Sequence, residues 1–500
     1  MDNYLKYLTQ EENYTSTENG AITHKSSMNA LLDLFGMGAA YRKRSDRDCI
    51  LLFKNAFEED PTYAMKCLFY LRDITEGQGE RRFFRVICQW LADYFPSDMR
   101  RNLDKIPIYG RWDDLYIFVN TKLEKDAFKF MANQAAQDLQ SKTPSLLGKW
   151  LKSENTSSLE SRILATKTRN AFGLTSRQYR KMLSYLRKKI KVIETLMSAG
   201  KWDEIEFDKI PSKAGMIYRN AFARHDVERM KSKKQIKSYE DFIKNKNTKV
   251  NAKALYPYEV VGKAYDFTRR FSYSLHNVSF NDIERLAINK YWDNLKDYFN
   301  NCKLDALCVI DTSASMWGTP ISVAISLGMY AAEKARGPFH GYYVSFSRRP
   351  QLVRVEGVDF VDKVQRIYEK NICENTNIEA TFDMLLDTAI NNGCTQKDLP
   401  KNIVIISDME FDSQVGSYEK TQQTLMENIR DKWRCYGFKM PNLVFWNVDA
   451  RRNNVPMRVQ NGVTLVSGFS PVTFEMIMKG KTAFDLMMDK LNSARYVIIS

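Results

Sequence analysis

The sequence predicts a chain of two unlike parts, an α-helical N-terminal region and a C-terminal domain with a doubly wound α/β fold. Its 500 residues are too many for one hydrophobic core. Apolar residues recur at helical spacing through most of residues 26–300, and short apolar runs alternate with amphipathic segments after residue 300. We therefore predict an N-terminal arm at 1–25, a helical domain at 26–300, and an α/β domain at 301–500 that folds on its own.

The helical region is predicted from apolar residues that share one helix face, such as Phe83, Ile87, Trp90 and Leu91. A longer stripe, from Tyr179 to Met197, predicts one helix of about five turns. Thr143-Pro144 supplies an N-cap and a first-turn proline for a helix at 145–151. The helices show no fixed repeat, so a HEAT-like α-solenoid and an irregular helical array are both open. The basic segment 231–253 predicts a surface loop.

The C-terminal domain is predicted to be a mostly parallel sheet with helices on both faces. Its strands are expected at 304–310, 341–346, 351–355, 402–406, 443–448 and 463–466. Its helices are expected at 319–337, 360–370, 377–391, 417–434 and 472–492. Because only a short turn joins 341–346 to 351–355, one strand of the sheet should be antiparallel.

Positive charge is concentrated in the helical region. The net charge is +15, from 75 Lys and Arg against 60 Asp and Glu. Residues 301–500 hold 23 Lys and Arg against 22 Asp and Glu, which leaves 52 against 38 in residues 1–300. The excess of +14 in that region favours a polyanion such as RNA as its partner. A solvated, lysine-rich helical surface explains the charge equally well, so charge alone leaves both interpretations open.

The cysteines indicate a reduced, cytoplasmic protein without disulfides. The eight cysteines are scattered without a C-x-x-C pair, and four histidines offer no zinc-ligand spacing. Cys67, Cys88 and Cys308 lie in apolar runs and are predicted to be buried. The N-terminus lacks a signal-peptide pattern, and no apolar stretch approaches the ~20 residues needed to cross a membrane. We therefore expect no membrane partner.

A candidate metal site follows the first strand of the C-terminal domain. That strand runs into Asp311-Thr312-Ser313-Ala314-Ser315, a D-x-S-x-S motif whose oxygen-bearing side chains alternate along a tight loop. Mg²⁺ requires hard oxygen ligands that converge on one point. Parallel sheets bind ligands at the carboxyl ends of their strands. The motif therefore predicts a divalent-cation site.

This motif resembles the metal-ion-dependent adhesion site of von Willebrand factor A domains, and Thr376 and Asp408 fall where that family places its other ligands. The resemblance implies that Ser313, Ser315 and Thr376 bind Mg²⁺ or Mn²⁺ through hydroxyls. It also implies that Asp311 and Asp408 act partly through waters, which leaves the cation able to take an acidic ligand. The Thr376 loop reads Asn-Thr-Asn where the family often has Gly-x-Thr-Asp. This sequence therefore lacks a supporting carboxylate but keeps every residue that would bind the cation directly.

No catalytic residues are predicted. A hydrolase would need a base near Ser313 or Ser315, and the nearest histidine in the sequence is His340. Glu410 and Asp412, close to the end of the central strand, suggest a two-metal nuclease as an alternative. Adhesion-type sites carry such neighbours without catalysis, so we expect a protein that is not an enzyme.

Four stretches within residues 1–300 read TENGA at 17–21, LFYLRDITEGQGERR at 68–82, IYGRWDDL at 108–115 and NAKALYPY at 251–258. They resemble the TROVE module of the Ro autoantigen family and the sequences of an uncharacterised microbial and viral branch related to that module. In Ro-like proteins the helical module precedes a von Willebrand factor A domain. The resemblance implies that the helical repeats close into a ring whose two ends the A domain joins. It also implies that the ring binds single-stranded ends of misfolded RNA and that the outer basic surface binds small structured RNA.

Basic residues of the helical region are candidates for this RNA-binding surface. They are Arg72, Arg81, Arg82 and Arg85, the stripe Arg177, Arg180, Arg187 and Lys191, and the basic residues Lys231, Lys233 and Lys234. For any single one of these residues, a place on a solvated helix face or pairing with a carboxylate is a better explanation than RNA binding. Only the aggregate charge favours RNA.

We therefore expect a non-catalytic RNA-binding protein, part of a ribonucleoprotein, that binds small structured or misfolded RNA on its helical body. Its A domain would carry a Mg²⁺-dependent ligand site. The alternative is a protein-binding adaptor that binds no RNA. In that case the cation captures an acidic side chain of a partner protein, and the helical body serves as a platform.

Overall fold

The computed structural model describes residues 13–231, 237–265, 280–299, 305–334, 336–346, 349–370, 377–412, 424–457, 462–477 and 481–500. A helical N-terminal region is followed by a C-terminal region built on a mixed sheet, which confirms the coarse division into an α-helical and an α/β part. A small antiparallel pair, β1 (Tyr14–Ser16) and β2 (Ile22–His24), precedes the first described helix. We call residues 13–25 the N-terminal hairpin.

The described part of the helical region consists of α-helices of 4 to 17 residues with several 3-10 helices between them. Its α-helices span Ala30–Met37, Asp46–Glu59, Pro61–Arg72, Arg82–Tyr94, Pro96–Asn102, Ile106–Tyr109, Glu124–Gln140, Leu147–Trp150, Leu159–Ala171, Ser176–Lys189, Ile193–Ser198, Ser212–Arg224, Asp226–Met230, Tyr239–Lys244, Pro257–Ala264 and Asp282–Asp293. Its 3-10 helices span Gly38–Lys43, Leu103–Lys105, Trp112–Phe118, Trp202–Glu204 and Phe207–Lys209. Several helices begin at a polar side chain that accepts a first-turn N–H, as Ser45 does from Asp48. These caps explain why polar breaks in the sequence mark helix starts.

The predicted five-turn helix from Tyr179 to Met197 is wrong. The first helix ends at Lys189, Lys191 adopts a left-handed conformation with φ of 48°, and a separate helix begins at Ile193. Tyr179 belongs to one hydrophobic core and Ile193 to the other. The apolar stripe therefore continues through the sequence although the chain passes from one core to another.

Three other predicted elements also differ from the structure. The helix expected at 145–151 spans Leu147–Trp150, because the Ser145 hydroxyl accepts the Leu147 N–H and starts the turn there. The segment 231–253, predicted to be a loop, contains the helix Tyr239–Lys244, which buries Phe242 and Ile243. The helix expected at 472–492 is two described helices, Thr473–Ile477 and Ala483–Leu491.

Six strands form the C-terminal sheet in the order β5-β4-β3-β6-β7-β8. They are β3 (Ala306–Asp311), β4 (Tyr342–Phe346), β5 (Gln351–Arg354), β6 (Asn402–Ser407), β7 (Asn442–Asn447) and β8 (Val463–Ser467). The other helices of this region span Thr319–Lys334, Phe360–Lys370, Ile378–Asn391 and Leu425–Cys435, with a 3-10 turn at Ala314–Met316. Among the described strands of this sheet, only β4 and β5 pair in antiparallel fashion, which confirms the predicted single antiparallel strand.

Helices of the N-terminal region pack directly on one face of this sheet and on a covering helix at the other face. Along β3, Leu307 and Val309 belong to one hydrophobic core, and Cys308 and Ile310 belong to the other. The helix Ala30–Met37 packs on β8 so closely that a Cβ added to Gly36 would lie 3.1 Å from the Leu465 side chain. On the opposite face, the helix Pro257–Ala264 packs against Thr319–Lys334. The structure therefore argues against the expectation that residues 301–500 fold alone, because separating them would expose apolar surface on both faces.

The cysteines of the described part are free thiols. Cys67, Cys88 and Cys308 are buried, and burial raises the pKa of each thiol. Their prediction as small buried hydrophobic residues is confirmed. Within the described ranges, no helix is both long enough and apolar enough to cross a membrane.

The last described residues are fixed against the helical region. Tyr496 is fully buried, and its ring stacks on Tyr109 with 5.6 Å between centroids. The Tyr496 hydroxyl donates to Asp73 Oδ2 at 2.9 Å, and Arg495 donates to Oδ1 of the same carboxylate at 2.7 Å. The buried charge of Asp73 and the stacking of Tyr109 on Tyr496 thus hold the last described residues against the helical region.

The substitution Tyr496→Ala should lower the free energy of unfolding by about 3–5 kcal/mol, because it leaves a cavity and removes a hydrogen bond from buried Asp73. Thermal unfolding measures the effect. The matched control is Val497→Ala, since Val497 is 65% exposed, and it should change stability by no more than about 0.5 kcal/mol. Equal melting temperatures for the two variants would contradict a structural role for this contact.

Candidate metal centre

The candidate site lies where two neighbouring strands end side by side. Asp311 is the last residue of β3, and Asp408 directly follows β6. The two strands pair in parallel, with Ile310 opposite Ile406, so both carboxylates reach the same edge of the sheet. The strand order reverses between β3 and β6. Such a switch point is where open α/β sheets bind ligands.

The D-x-S-x-S loop folds around the Asp311 carboxylate. The Ser313 N–H donates to Oδ1 at 2.9 Å, and the Ser407 hydroxyl donates to Oδ2 at 2.6 Å. The hydroxyl oxygens of Ser313 and Ser315 lie 2.9 Å apart. The structure thus brings together four of the predicted ligands: Asp311, Ser313, Ser315 and Asp408. The fifth, Thr376, lies outside the described residues.

The site buries two carboxylates whose negative charge is not fully neutralised. Asp311 and Asp408 are 0% and 1% exposed. Burial, together with the Asp408 charge, raises the pKa of Asp311, and burial raises the pKa of Asp408 although the Ser315 hydroxyl opposes that shift. Asp408 Oδ2 accepts no hydrogen bond, and the Nε of its ion-pair partner Arg451 is 3.5 Å away. Buried negative charge of this kind is unfavourable unless a cation lies close to it.

Asp114 in the helical region shows how the fold neutralises a buried carboxylate. It is also 0% exposed, but Arg72 donates to its Oδ2 at 2.9 and 2.7 Å and Arg85 donates to its Oδ1 at 2.8 Å. Burial alone would raise the pKa of Asp114, yet the two guanidinium groups lower it below its ordinary value. The opposite pKa shifts of Asp114 and Asp408 indicate that the candidate site has too little positive charge nearby to neutralise its carboxylates.

The oxygen atoms present at this site suit a hard divalent cation. In the part of the chain that the structure describes, no three His, Cys, Asp or Glu side chains form a metal-binding group. What this site offers is two carboxylates and two serine hydroxyls. Mg²⁺ prefers oxygen ligands and usually keeps several waters, so it needs few protein ligands. The residues therefore fit Mg²⁺ or Mn²⁺ better than zinc.

Sequence reasoning missed two residues at the mouth of the site, Arg451 and Glu18. Arg451, in the loop after β7, donates from Nη2 to the Ser315 carbonyl at 2.6 Å and from Nη1 to Glu18 Oε2 at 3.0 Å. The Glu18 N–H in turn donates to Glu410 Oε2 at 2.5 Å. The position of Arg451 could have been predicted from the sequence, because Arg451 follows β7, a parallel strand that ends at the same edge of the sheet as β3 and β6. The position of Glu18, 392 residues from Glu410, could not have been.

The first group of predicted RNA-binding residues is engaged in ion pairs. Arg72 is 2% exposed and pairs with Asp114, so the prediction that it lies on a basic surface is wrong. It neutralises a carboxylate inside the helical region instead. The others are partly exposed and each pairs with a carboxylate: Arg81 with Asp113, Arg82 with Asp46 and Arg85 with Asp114.

The second predicted group does not form one stripe. Arg187 is held by the carbonyls of Gly148 and Leu151, at 3.1 and 2.9 Å, and burial lowers its pKa. Lys191 lies beyond the end of the helix. The remaining candidates divide simply: Arg177, Arg180 and Lys231 are exposed, whereas Lys233 and Lys234 lie outside the described residues.

Comparison with known proteins finds the same two-part organisation. A family model described as a domain of unknown function, DUF2828, matches residues 17–171 and 126–301, and another, DUF7788, matches residues 305–495. An uncharacterised protein of Acanthamoeba polyphaga mimivirus, L728, is 31% identical over 512 residues, which cover 94% of this chain and 85% of the viral protein. The chain belongs to the family that these two domains define. The two models meet between residues 301 and 305, just before β3.

The substitution Asp408→Asn tests whether the Asp408 charge serves the fold. In metal-free protein this variant should be within about 1 kcal/mol of the wild type or more stable, because asparagine keeps the acceptor of the Glu410 N–H and removes an unneutralised charge. By contrast, Asp114→Asn should cost about 3–5 kcal/mol, since it leaves Arg72 buried beside a neutral group. Denaturant unfolding in EDTA compares the two variants. Equally large losses would show that Asp408 has a structural role.

Proposed function

We propose that this protein is a non-catalytic binding protein whose C-terminal region holds Mg²⁺ or Mn²⁺ and captures an acidic ligand through the cation. One observation carries the proposal. Asp408 Oδ2 is buried and accepts no hydrogen bond, beside the hydroxyls of Ser313 and Ser315. A cation here would neutralise Asp311 and Asp408 together. Because the protein supplies few direct charges, the cation would still attract a carboxylate from a ligand.

A von Willebrand factor A type of site is part of this proposal. In it, Ser313, Ser315 and Thr376 bind the cation through hydroxyls, and Asp311 and Asp408 act partly through waters. An indirect role for Asp311 agrees with the two hydrogen bonds that its oxygens already accept. The placement of Asp311 and Asp408 on neighbouring parallel strands also supports this arrangement.

We also propose a Ro-like layout, in which HEAT-like helical repeats are joined end to end by the A-type domain. Contacts at both ends of the helical region support it. The first described helix, Ala30–Met37, packs on β8, and Asp282–Asp293, near the other end, packs on Phe360–Lys370. A helical ring closed by the C-terminal domain requires such contacts at each end.

Catalysis is not part of the proposal. The hydroxyls of Ser313 and Ser315 bond to each other, and a serine nucleophile needs a base within hydrogen-bond reach. His340 precedes β4, which runs parallel to β3, so it lies toward the amino edge of the sheet. The site lies at the carboxyl edge, away from this histidine.

RNA is the second candidate ligand, because the positive charge of the helical region favours it. An ion pair uses one charge of each sign, so the pairs formed by Arg72, Arg81, Arg82 and Arg85 leave the excess of 52 over 38 unchanged. That excess is available to neutralise the phosphates of a small structured or misfolded RNA. If RNA is not bound, the protein adaptor remains, with an acidic partner at the cation.

Calorimetric titration of the full chain with Mg²⁺ and with Mn²⁺ tests the metal site. Asp311→Ala should abolish binding, because it removes one of the two buried carboxylates, and its helical circular dichroism should be unchanged. Glu356→Ala, which removes an exposed carboxylate of the same region, should bind like the wild type. Equal affinity of the wild type and Asp311→Ala would disprove the site assignment.

Filter binding of the full chain to RNA at two salt concentrations tests the second candidate. Log affinity should fall against log salt with a slope of about −0.7 for each phosphate neutralised on a single strand. The double variant Arg177→Glu, Arg180→Glu should weaken binding to all RNA sequences alike, since phosphate contacts do not read bases. Its matched control, Lys397→Glu with Arg434→Glu, makes the same charge change on exposed residues of the C-terminal region. Equal effects of the two double variants, or no salt dependence, would remove the RNA hypothesis.

A further inference from the structure

The N-terminal hairpin lies across the mouth of the candidate metal centre. Its turn is fixed to the loop after β6, where Asn19 Nδ2 donates to the Glu410 carbonyl at 2.7 Å. Its second strand is fixed to the loop after β7, where His24 and Val455 exchange backbone hydrogen bonds of 3.0 and 2.9 Å. Both loops lie at the carboxyl edge of the sheet, so the hairpin is held at the edge that carries the candidate ligands.

Glu18 is the hairpin residue that reaches the site. Its backbone is held by the 2.5 Å hydrogen bond from its N–H to buried Glu410, and Gly20, with φ of 90°, turns the chain back beside Asp412. Its side chain is 50% exposed and is held by Arg451. The backbone of Glu18 is therefore fixed, while its carboxylate retains room to turn.

Arg451 connects the Glu18 carboxylate to the candidate ligands. One guanidinium group donates to Glu18 Oε2 and to the Ser315 carbonyl, and its Nε lies 3.5 Å from Asp408 Oδ2. Only the width of this guanidinium separates Glu18 from the buried oxygen of Asp408 that accepts no hydrogen bond. Arg451 thus supplies positive charge near the place where a cation would bind.

The contact between Arg451 and Asp408 is weak compared with metal coordination. A charge-assisted N–H···O bond is about 2.7–2.9 Å long, shorter than the 3.5 Å observed here. A divalent cation carries twice the charge of a guanidinium, so it attracts the Asp408 carboxylate more strongly even where a bound water lies between them. It should therefore displace Arg451 from Asp408, and the carboxylate that Arg451 holds is the kind of ligand that such a cation takes.

We propose that Glu18 is an intramolecular ligand of the cation and takes the position that an acidic partner would otherwise occupy. This inference rests on the metal site proposed above. It makes the N-terminal hairpin a competitor of the partner, because an external carboxylate must displace Glu18. The hairpin then determines how tightly an external acidic ligand must bind the cation in order to displace Glu18.

Mn²⁺ affinity of the full chain, measured by electron paramagnetic resonance, tests the proposal. Glu18→Gln should weaken Mn²⁺ binding about tenfold, because it removes a charged ligand. Arg451→Gln should strengthen it, because it removes a competing positive charge. In the Arg451→Gln background, Glu18→Gln should still weaken binding. The matched control Glu58→Gln, which neutralises a glutamate that is 63% exposed on the helical region, should bind like the wild type.

Hydrogen exchange with and without Mg²⁺ gives a second readout. Mg²⁺ should slow exchange of the hairpin amides at 17–24 in the wild type, because the bound cation tethers Glu18, and should have no such effect in Glu18→Gln.

The outcomes separate this inference from the metal site itself. Wild-type protein that binds no Mn²⁺ would overturn both. If the wild type binds Mn²⁺ but Glu18→Gln has no effect in the Arg451→Gln background, Glu18 acts only through Arg451 and the intramolecular ligand is disproved, while the metal site stands.

Discussion

A mostly parallel sheet must be covered on both faces, and this requirement shapes the whole molecule. Alternate residues of β3 belong to two separate hydrophobic cores. Helices of the C-terminal region lie over the sheet, and the helical region adds Ala30–Met37 directly on β8 at one face and Pro257–Ala264 against the covering helix Thr319–Lys334 at the other. The helical region is consequently held against the C-terminal region on both sides of the sheet, and each of the two hydrophobic cores contains residues of both family domains.

The same sheet determines where buried charge is tolerated. Inside the helical region, the carboxylate of Asp114 is paired with Arg72 and Arg85 and contributes to a closed network of ion pairs. At the carboxyl edge of the sheet, Asp311 and Asp408 are equally buried but have only a distant guanidinium beside them. Hydrogen bonds from Ser313, Ser407 and Glu410 orient these carboxylates but do not neutralise their charge. A site that is incompletely neutralised in the absence of ligand is a reason to look for a cation there.

The elements that were predicted correctly from the sequence depend on local patterns. The central strands β3, β6 and β7 are mostly continuous apolar runs, and Asp311, Ser313 and Ser315 follow one another in a single loop, so both were visible in short windows. Arg72 and Glu18 were not, because their environments depend on residues far along the chain. Arg72 resembles a surface arginine until Asp114, 42 residues later, is placed beside it. The break at Lys191 was hidden because the apolar spacing continues across it.

The contacts of the N-terminal hairpin also affect how the chain assembles. Glu18 and Glu410 are 392 residues apart, and Thr23 and Val455 are 432 apart. At synthesis rates of about 5–20 residues per second, the hairpin waits roughly 20–90 s for these partners. During that interval the apolar faces of the first helices have no sheet to cover and are exposed to chaperones and to aggregation. The hairpin can therefore close over the candidate centre only on chains whose synthesis has passed the loop after β7, so its protection from hydrogen exchange would mark chains that have reached that point.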